Sequence, residues 1–217
     1  IGGGVAVLMV LLTWLFIESS KPLPGEKQAY TCDNYIDFSK LENADTSDKC
    51  RVHVPVGTEV KYPTNPPVHG PHYADWVRPG IYETPRDDRN LVHSMEHGYI
   101  IISYNCDKRV TSNKSLVTSI YAHGIEEEAS QSSEATNSSQ LSDEFRSEEC
   151  HELVDQLIAI YEKKGKKKIV IVPRPPFDFR IALTAWSYID KFDRFDETRI
   201  VKFIDAHRDM GPERTME

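Results

Sequence analysis

Basic charge is in short supply: 26 Lys and Arg stand against 34 Asp and Glu among 217 residues, a formal net charge of −8. Affinity for nucleic acid rests mainly on clustered Lys and Arg, so no nucleic-acid partner is expected. The one basic cluster, residues 163–168 (KKGKKK), reads as the solvated end of a helix, where cations complement the helix dipole. Cysteine is scarce as well. There are four, none in a C-x-x-C pair, which leaves a zinc ribbon or a thioredoxin-type site without support. No internal repeat is present.

One long uncharged run exists, residues 1–17 (IGGGVAVLMVLLTWLFI). As a helix it would cover roughly 26 Å, just short of a bilayer's hydrocarbon core. The chain opens on Ile rather than Met, so further residues are expected ahead of it, and a few of them would complete the span. A signal peptide is the rival reading, but small residues at a cleavage site are only weakly represented in "FIESSKPLPG". Residues 1–19 are therefore expected to be a retained transmembrane anchor, with the lipid bilayer as partner through residues 1–17. The domain is expected on the extracytoplasmic side, which asks for basic residues before Ile1.

The four cysteines, Cys32, Cys50, Cys106 and Cys150, all follow the anchor. They allow three pairings. Cys32–Cys50 with Cys106–Cys150 is favoured, because each bridge then staples one irregular segment and contributes about 3–4 kcal/mol through loop closure. An anchor, paired cysteines and the sequons at Asn113 and Asn137 agree with an oxidising exterior.

Residues 20–50 are polar, with Pro22 and Pro24, and read as a tether and disulfide-closed loop. Residues 51–217 read as a single α+β domain. Within it "VGTEVKY" (56–62), "IIISY" (100–104), "KKIVIVP" (167–173) and "RIALTAWSY" (180–188) are expected strands. The proline-dense "PTNPPVHGPHY" (63–73) can only be an extended loop. The acidic, serine-rich stretch 125–149 has too little apolar surface to order and is expected to be a mobile insertion. Apolar residues at helical spacing from Phe145 to Tyr161 end at Gly165, and a last helix starts at an Asp196 cap and buries Ile200, Phe203, Ile204 and His207. The expected fold is α+β: a small, mostly antiparallel sheet packed by two helices and preceded by one N-terminal transmembrane helix.

Five of the eight histidines, His53, His69, His72, His93 and His97, fall within residues 53–97, a concentration that suits a metal site. His123, His151 and His207 are scattered and carry no assignment. In "HSMEH" (93–97) a helix would put His93, Glu96 and His97 on one face, the H-x-x-E-H arrangement of inverted zinc proteases. Gly98 and the β-branched run behind it argue instead for a strand. Alternation then gives a His93, Met95, His97 face, and imidazole with thioether leans towards copper, whereas zinc more often recruits a carboxylate or thiolate. Glu96 is either a group that orients a ligand imidazole or a salt-bridge partner.

The motifs "YPTNPPVHGPHYADW", "GIYETP", "LVHSMEHGYIIISY", "ALTAW" and "FIDAHRDMGPE", in that order and spacing, resemble a prokaryotic domain-of-unknown-function family, number 3105, over about residues 51–213. The resemblance implies a membrane-anchored or secreted module with a single N-terminal span and one small domain, and makes His53, His72, His93, Glu96 and His97 family positions. His69 stands where serine is expected and Met95 where leucine is. These readings predict a non-catalytic, extracytoplasmic metal-binding domain for metal delivery or as part of a membrane enzyme. It would hold copper, or alternatively zinc, through His72, His93 and His97, with His53, His69 or Met95 in the fourth position. The alternatives are an accessory structural subunit of a large membrane complex, respiratory or copper-monooxygenase-like, without metal, and a metallohydrolase with Glu96 as general base. A helix at 93–97 with a downstream carboxylate would support the last.

Overall fold

A computed structural model describes residues 7, 9–13, 22–41, 45–107, 141–175, 177–213 and 215. Among these residues six strands form one sheet, in the order β1 (Glu26–Lys27), β6 (Tyr188–Phe192), β5 (Ile181–Ala185), β3 (Ile100–Tyr104), β4 (Ile169–Pro173) and β2 (Gly80–Ile81). Three α-helices pack with it: α1 (Asp88–Glu96), α2 (Glu148–Lys163) and α3 (Glu197–His207). The expected mostly antiparallel sheet is in fact mixed. The β1–β6, β6–β5 and β5–β3 pairs are antiparallel, and β3–β4 and β4–β2 are parallel. The cause lies in α2, because parallel neighbours need a crossover rather than a hairpin, and the chain between β3 and β4 contains that helix.

The central strands β3 and β4 are buried on both faces, which explains their unbroken apolar sequences. Ile100, Ile102, Ile169 and Ile171 meet Leu153, Leu157 and Ile160 of α2 and Ile200, Phe203 and Ile204 of α3. Ile101, Val170 and Val172 meet Leu91, Val92 and Met95 of α1 on the other side. Local chemistry sets the helix ends. Asp87 accepts from the Arg89 amide to start α1, Ser147 from the Cys150 amide to start α2, and Asp196 from the Arg199 amide to start α3. Gly165, at φ 74°, follows the end of α2 as its position predicts.

Several expectations change. "VGTEVKY" forms no strand, and a single parallel bridge, His53 to His72, stands nearby instead. "RIALTAWSY" is not one strand but most of a hairpin, β5 turning through Trp186 and Ser187 into β6, with Ser187 at φ 67°. The proposed tether adds strand β1 to the sheet edge. The acidic insertion ends sooner than residue 149, since Asp143–Arg146 is a 3-10 helix and α2 begins at Glu148. Its residues 125–140, the sequons at Asn113 and Asn137, and His123 lie outside the described residues. Residues 7 and 9–13 are helical, while the rest of the expected span 1–17 is also outside them. Among the described residues no helix is long and apolar enough to cross a membrane. Both favoured disulfides, Cys32–Cys50 and Cys106–Cys150, are formed.

Candidate metal centre

The stretch "HSMEH" (93–97), expected as a strand, is the last turn of helix α1, which ends at Glu96 with His97 as its cap. Gly98 does not break the helix; it ends it. At φ 82° it takes the left-handed position, its amide donates to Met95 O, and the Tyr99 amide donates to Ser94 O. This is the Schellman pattern that glycine makes possible after a last helical turn. His93, Glu96 and His97 therefore share one face, and Met95 turns the other way into the apolar cluster with Val92, Tyr99 and Val172. The His-x-Met-x-His face is thus not formed.

The loop before α1 supplies the other rings. The Val54 amide donates to His72 O (2.8 Å) and the His72 amide to Val52 O (3.0 Å), which holds His53 and His72 side by side. Ring centroids lie 5.0 Å apart for His53 and His72, 4.9 Å for His53 and His93, 4.9 Å for His72 and His93, and 4.5 Å for His93 and His97. Four of the five clustered histidines converge. His69 does not: its ring lies between Tyr30 and Tyr35, with Nδ1 3.3 Å from Ser187 Oγ. The cysteine sulfurs near it are consumed by the Cys32–Cys50 bridge.

Hydrogen bonds fix which nitrogens are free. His72 Nδ1 is 2.8 Å from Gly70 O, and His93 Nδ1 is 2.7 Å from Tyr73 O. A carbonyl only accepts, so each Nδ1 carries the proton and donates it, and each Nε2 presents a lone pair when the ring is neutral. That lone pair on His72 faces Glu96 Oε2 at 3.0 Å, two acceptors that need a proton or a metal cation between them. His53 Nε2 is 4.0 Å from the same oxygen. His93 Nε2 is 3.1 Å from His97 Nε2, which in turn is 3.5 Å from Glu213 Oε2. Donor atoms of His53, His72, His93 and Glu96 lie within 4.8 Å of one another, as do those of His93, His97 and Glu213. Bonds of about 2.0–2.2 Å set donors about 3.3–3.6 Å apart around a tetrahedral ion, so closing the first set takes small ring rotations.

Burial and neighbouring charge act on the site's titratable groups. Burial, reinforced by the His72 charge, lowers His93 to about 4, so its ring is neutral at physiological pH. Burial acts on His53 in the same direction. For Glu96 burial opposes ionisation, but hydrogen bonds and charge from His72 and Arg51 outweigh it and hold the carboxyl at about 2. Arg51 Nε donates to Glu96 Oε1 at 2.6 Å. Trp76 covers His93 and His97 at 5.3 and 4.7 Å, an apolar cap that limits water. Solvent enters through a cleft of about 410 Å³ lined by Asp48, Arg51, His53, Glu96 and Glu213.

A larger cleft, about 770 Å³, opens over the start of α1 and the end of β4. Two of its three arginines are already paired, Arg174 with Asp88 through two bonds of 2.6 and 2.7 Å and Arg89 with Asp87, and Arg86 stacks on the Tyr82 ring. Arg51 and Glu213 are the site residues that sequence reasoning missed. Glu213 closes the motif "FIDAHRDMGPE", but neither residue carries a spacing that points to the histidines.

A family model described as a protein of unknown function, DUF3105, matches residues 53–135 and 144–217. No curated protein and no solved structure matches the chain.

Proposed function

The chain belongs to the DUF3105 family, and from its converging imidazoles we propose an exported, membrane-tethered protein that holds a transition-metal dication for delivery or for a neighbouring membrane enzyme. One observation carries this reading: the rings of His72 and His93, each fixed through Nδ1 by a backbone carbonyl, converge with His53 and the buried Glu96 carboxylate so that their donor atoms lie within 4.8 Å of one another. Carbonyl-anchored imidazoles are the usual outer-shell device of metal sites. Zinc is preferred to copper, because the donors are imidazole and carboxylate and the Met95 thioether is in the core. The apolar run 1–17 and the two disulfides support export and tethering.

Zinc and copper analysis of the full chain, purified in detergent, tests this. About one equivalent of zinc should survive dialysis, and His72→Ala with His93→Ala should lose it. A wild-type chain that binds neither metal overturns the reading and leaves the accessory structural subunit. The helical H-x-x-E-H and the nearby Glu213 favour a second reading, a metallohydrolase with Glu96 as general base. It ranks lower, because both Glu96 oxygens are already engaged, Oε1 by Arg51 at 2.6 Å and Oε2 by His72 at 3.0 Å. Hydrolysis of p-nitrophenyl acetate by the zinc-loaded chain, lost in Glu96→Gln, would reverse that ranking.

A further inference from the structure

We propose that Glu213 serves the metal centre as a donor beside His93 and His97, and that docking of the C-terminal strap carrying it, residues 209–213, is coupled to metal loading. The proposal rests on the metal reading above and names a ligand and a means of regulation for it.

The strap lies across the end of α1, where the last carbonyls of a helix need donors from elsewhere. The Asp209 amide donates to Gly98 O (2.9 Å) and the Glu213 amide to Glu96 O (3.0 Å). Lys168, 1% exposed, ties both sides together: its Nζ donates to His97 O at 3.0 Å, to Thr215 O at 2.8 Å and to the Asp209 carboxylate at 2.7 Å. The approach is close enough to require glycine on both surfaces. A Cβ on Gly98 would meet the Asp209 backbone, and one on Gly211 would run into Glu96 O and the Gly98 nitrogen. The strap is thus seated on the same turn that carries Glu96 and His97, and it delivers the half-exposed Glu213 carboxylate to 3.5 Å from His97 Nε2.

A bound cation attracts that carboxylate, while the carboxylate reaches the site only when the strap is seated. Whatever favours one state must favour the other by the same factor. Lys168 and Gly211 act here as positioning residues, since neither has a donor atom at the site.

Zinc titration of the full chain against a competing chromophoric chelator, with hydrogen exchange at the Asp209 and Glu213 amides, tests the coupling. Zinc should slow exchange at both amides in the wild type. Glu213→Gln, a half-exposed change that leaves the fold intact, should weaken zinc binding about tenfold and abolish the slowing. Gly211→Ala should weaken zinc to a similar degree while His93 and His97 remain, and adding it to Glu213→Gln should cost little more. Zinc binding at full affinity in Glu213→Gln, or zinc-bound wild type with unchanged exchange at both amides, overturns the coupling and leaves the metal centre standing. Absence of zinc binding in the wild type removes the centre itself.

Discussion

On α1, residues three and four apart share a face, which groups His93 with Glu96 and His97 and sends Met95 into the core at 1% exposure. Swapping one apolar side chain for another of similar volume costs under about 1.5 kcal/mol. Met95→Leu is therefore expected to leave zinc affinity unchanged in a chelator competition and to lower the urea midpoint only slightly. A large loss of affinity would return the thioether to the donor set and revive copper. The histidines were legible in the sequence as a group, because residue type and clustering are visible there. Which four converge was not. His69 and His72 are three residues apart in the same rigid segment, yet His72 faces Glu96 and His69 faces Tyr35 and Ser187. Arg51 and Glu213 were invisible for the same reason: their roles come from contacts across 45 residues and more.

Helix α3 shows a different kind of constraint. His207, at 3% exposure, has Nε2 2.8 Å from Pro24 O and its ring against Tyr188 and Phe203, so it ties α3 to the segment entering β1. Burial lowers its pKa below the ordinary 6.5, against a smaller pull upward from the Pro24 carbonyl. As pH falls, the unfolded chain takes up this proton first, so stability rises with pH across the interval between the two values. The contribution is complete above 6.5 and is lost as pH falls from there through the folded value. His207→Gln, which keeps a donor and does not titrate, is expected to flatten the fall in the urea midpoint below pH 6.5. An unchanged slope would show that the other buried histidines account for all of it. The long periodic helices α2 and α3 were legible from their apolar stripes, together with Gly165 after α2 and the Asp196 cap of α3; the Ser147 cap of α2 was not, because the apolar spacing carries on back through Phe145, which lies in a separate 3-10 turn. The short α1 was not, since Gly98 fits either a break or a C-terminal cap and only the Tyr99 and Gly98 hydrogen bonds distinguish them. The two-residue strands β1 and β2 offer no periodicity at all.

Across the whole molecule, the two disulfides divide the labour between stability and the site. Cys106–Cys150 joins the end of β3 to the first turn of α2 and closes a sequence separation of 44, against 18 for Cys32–Cys50. Loop-closure entropy then assigns the longer bridge about 4 kcal/mol and the shorter about 3 kcal/mol. The shorter one has the closer bearing on the metal, because Cys50 is followed directly by Arg51, which pairs with Glu96, and then by Val52 and His53. Cys106→Ser with Cys150→Ser is therefore expected to lower the urea unfolding free energy more and to leave zinc affinity almost intact at a temperature where the chain stays folded. Cys32→Ser with Cys50→Ser should destabilise less but weaken zinc, since the segment carrying Arg51 and His53 loses its anchor. Unfolding and chelator titrations on both double variants separate the two effects. Equal loss of zinc affinity from either pair would mean that the site depends on the overall stability of the fold and not on the segment that the first bridge holds.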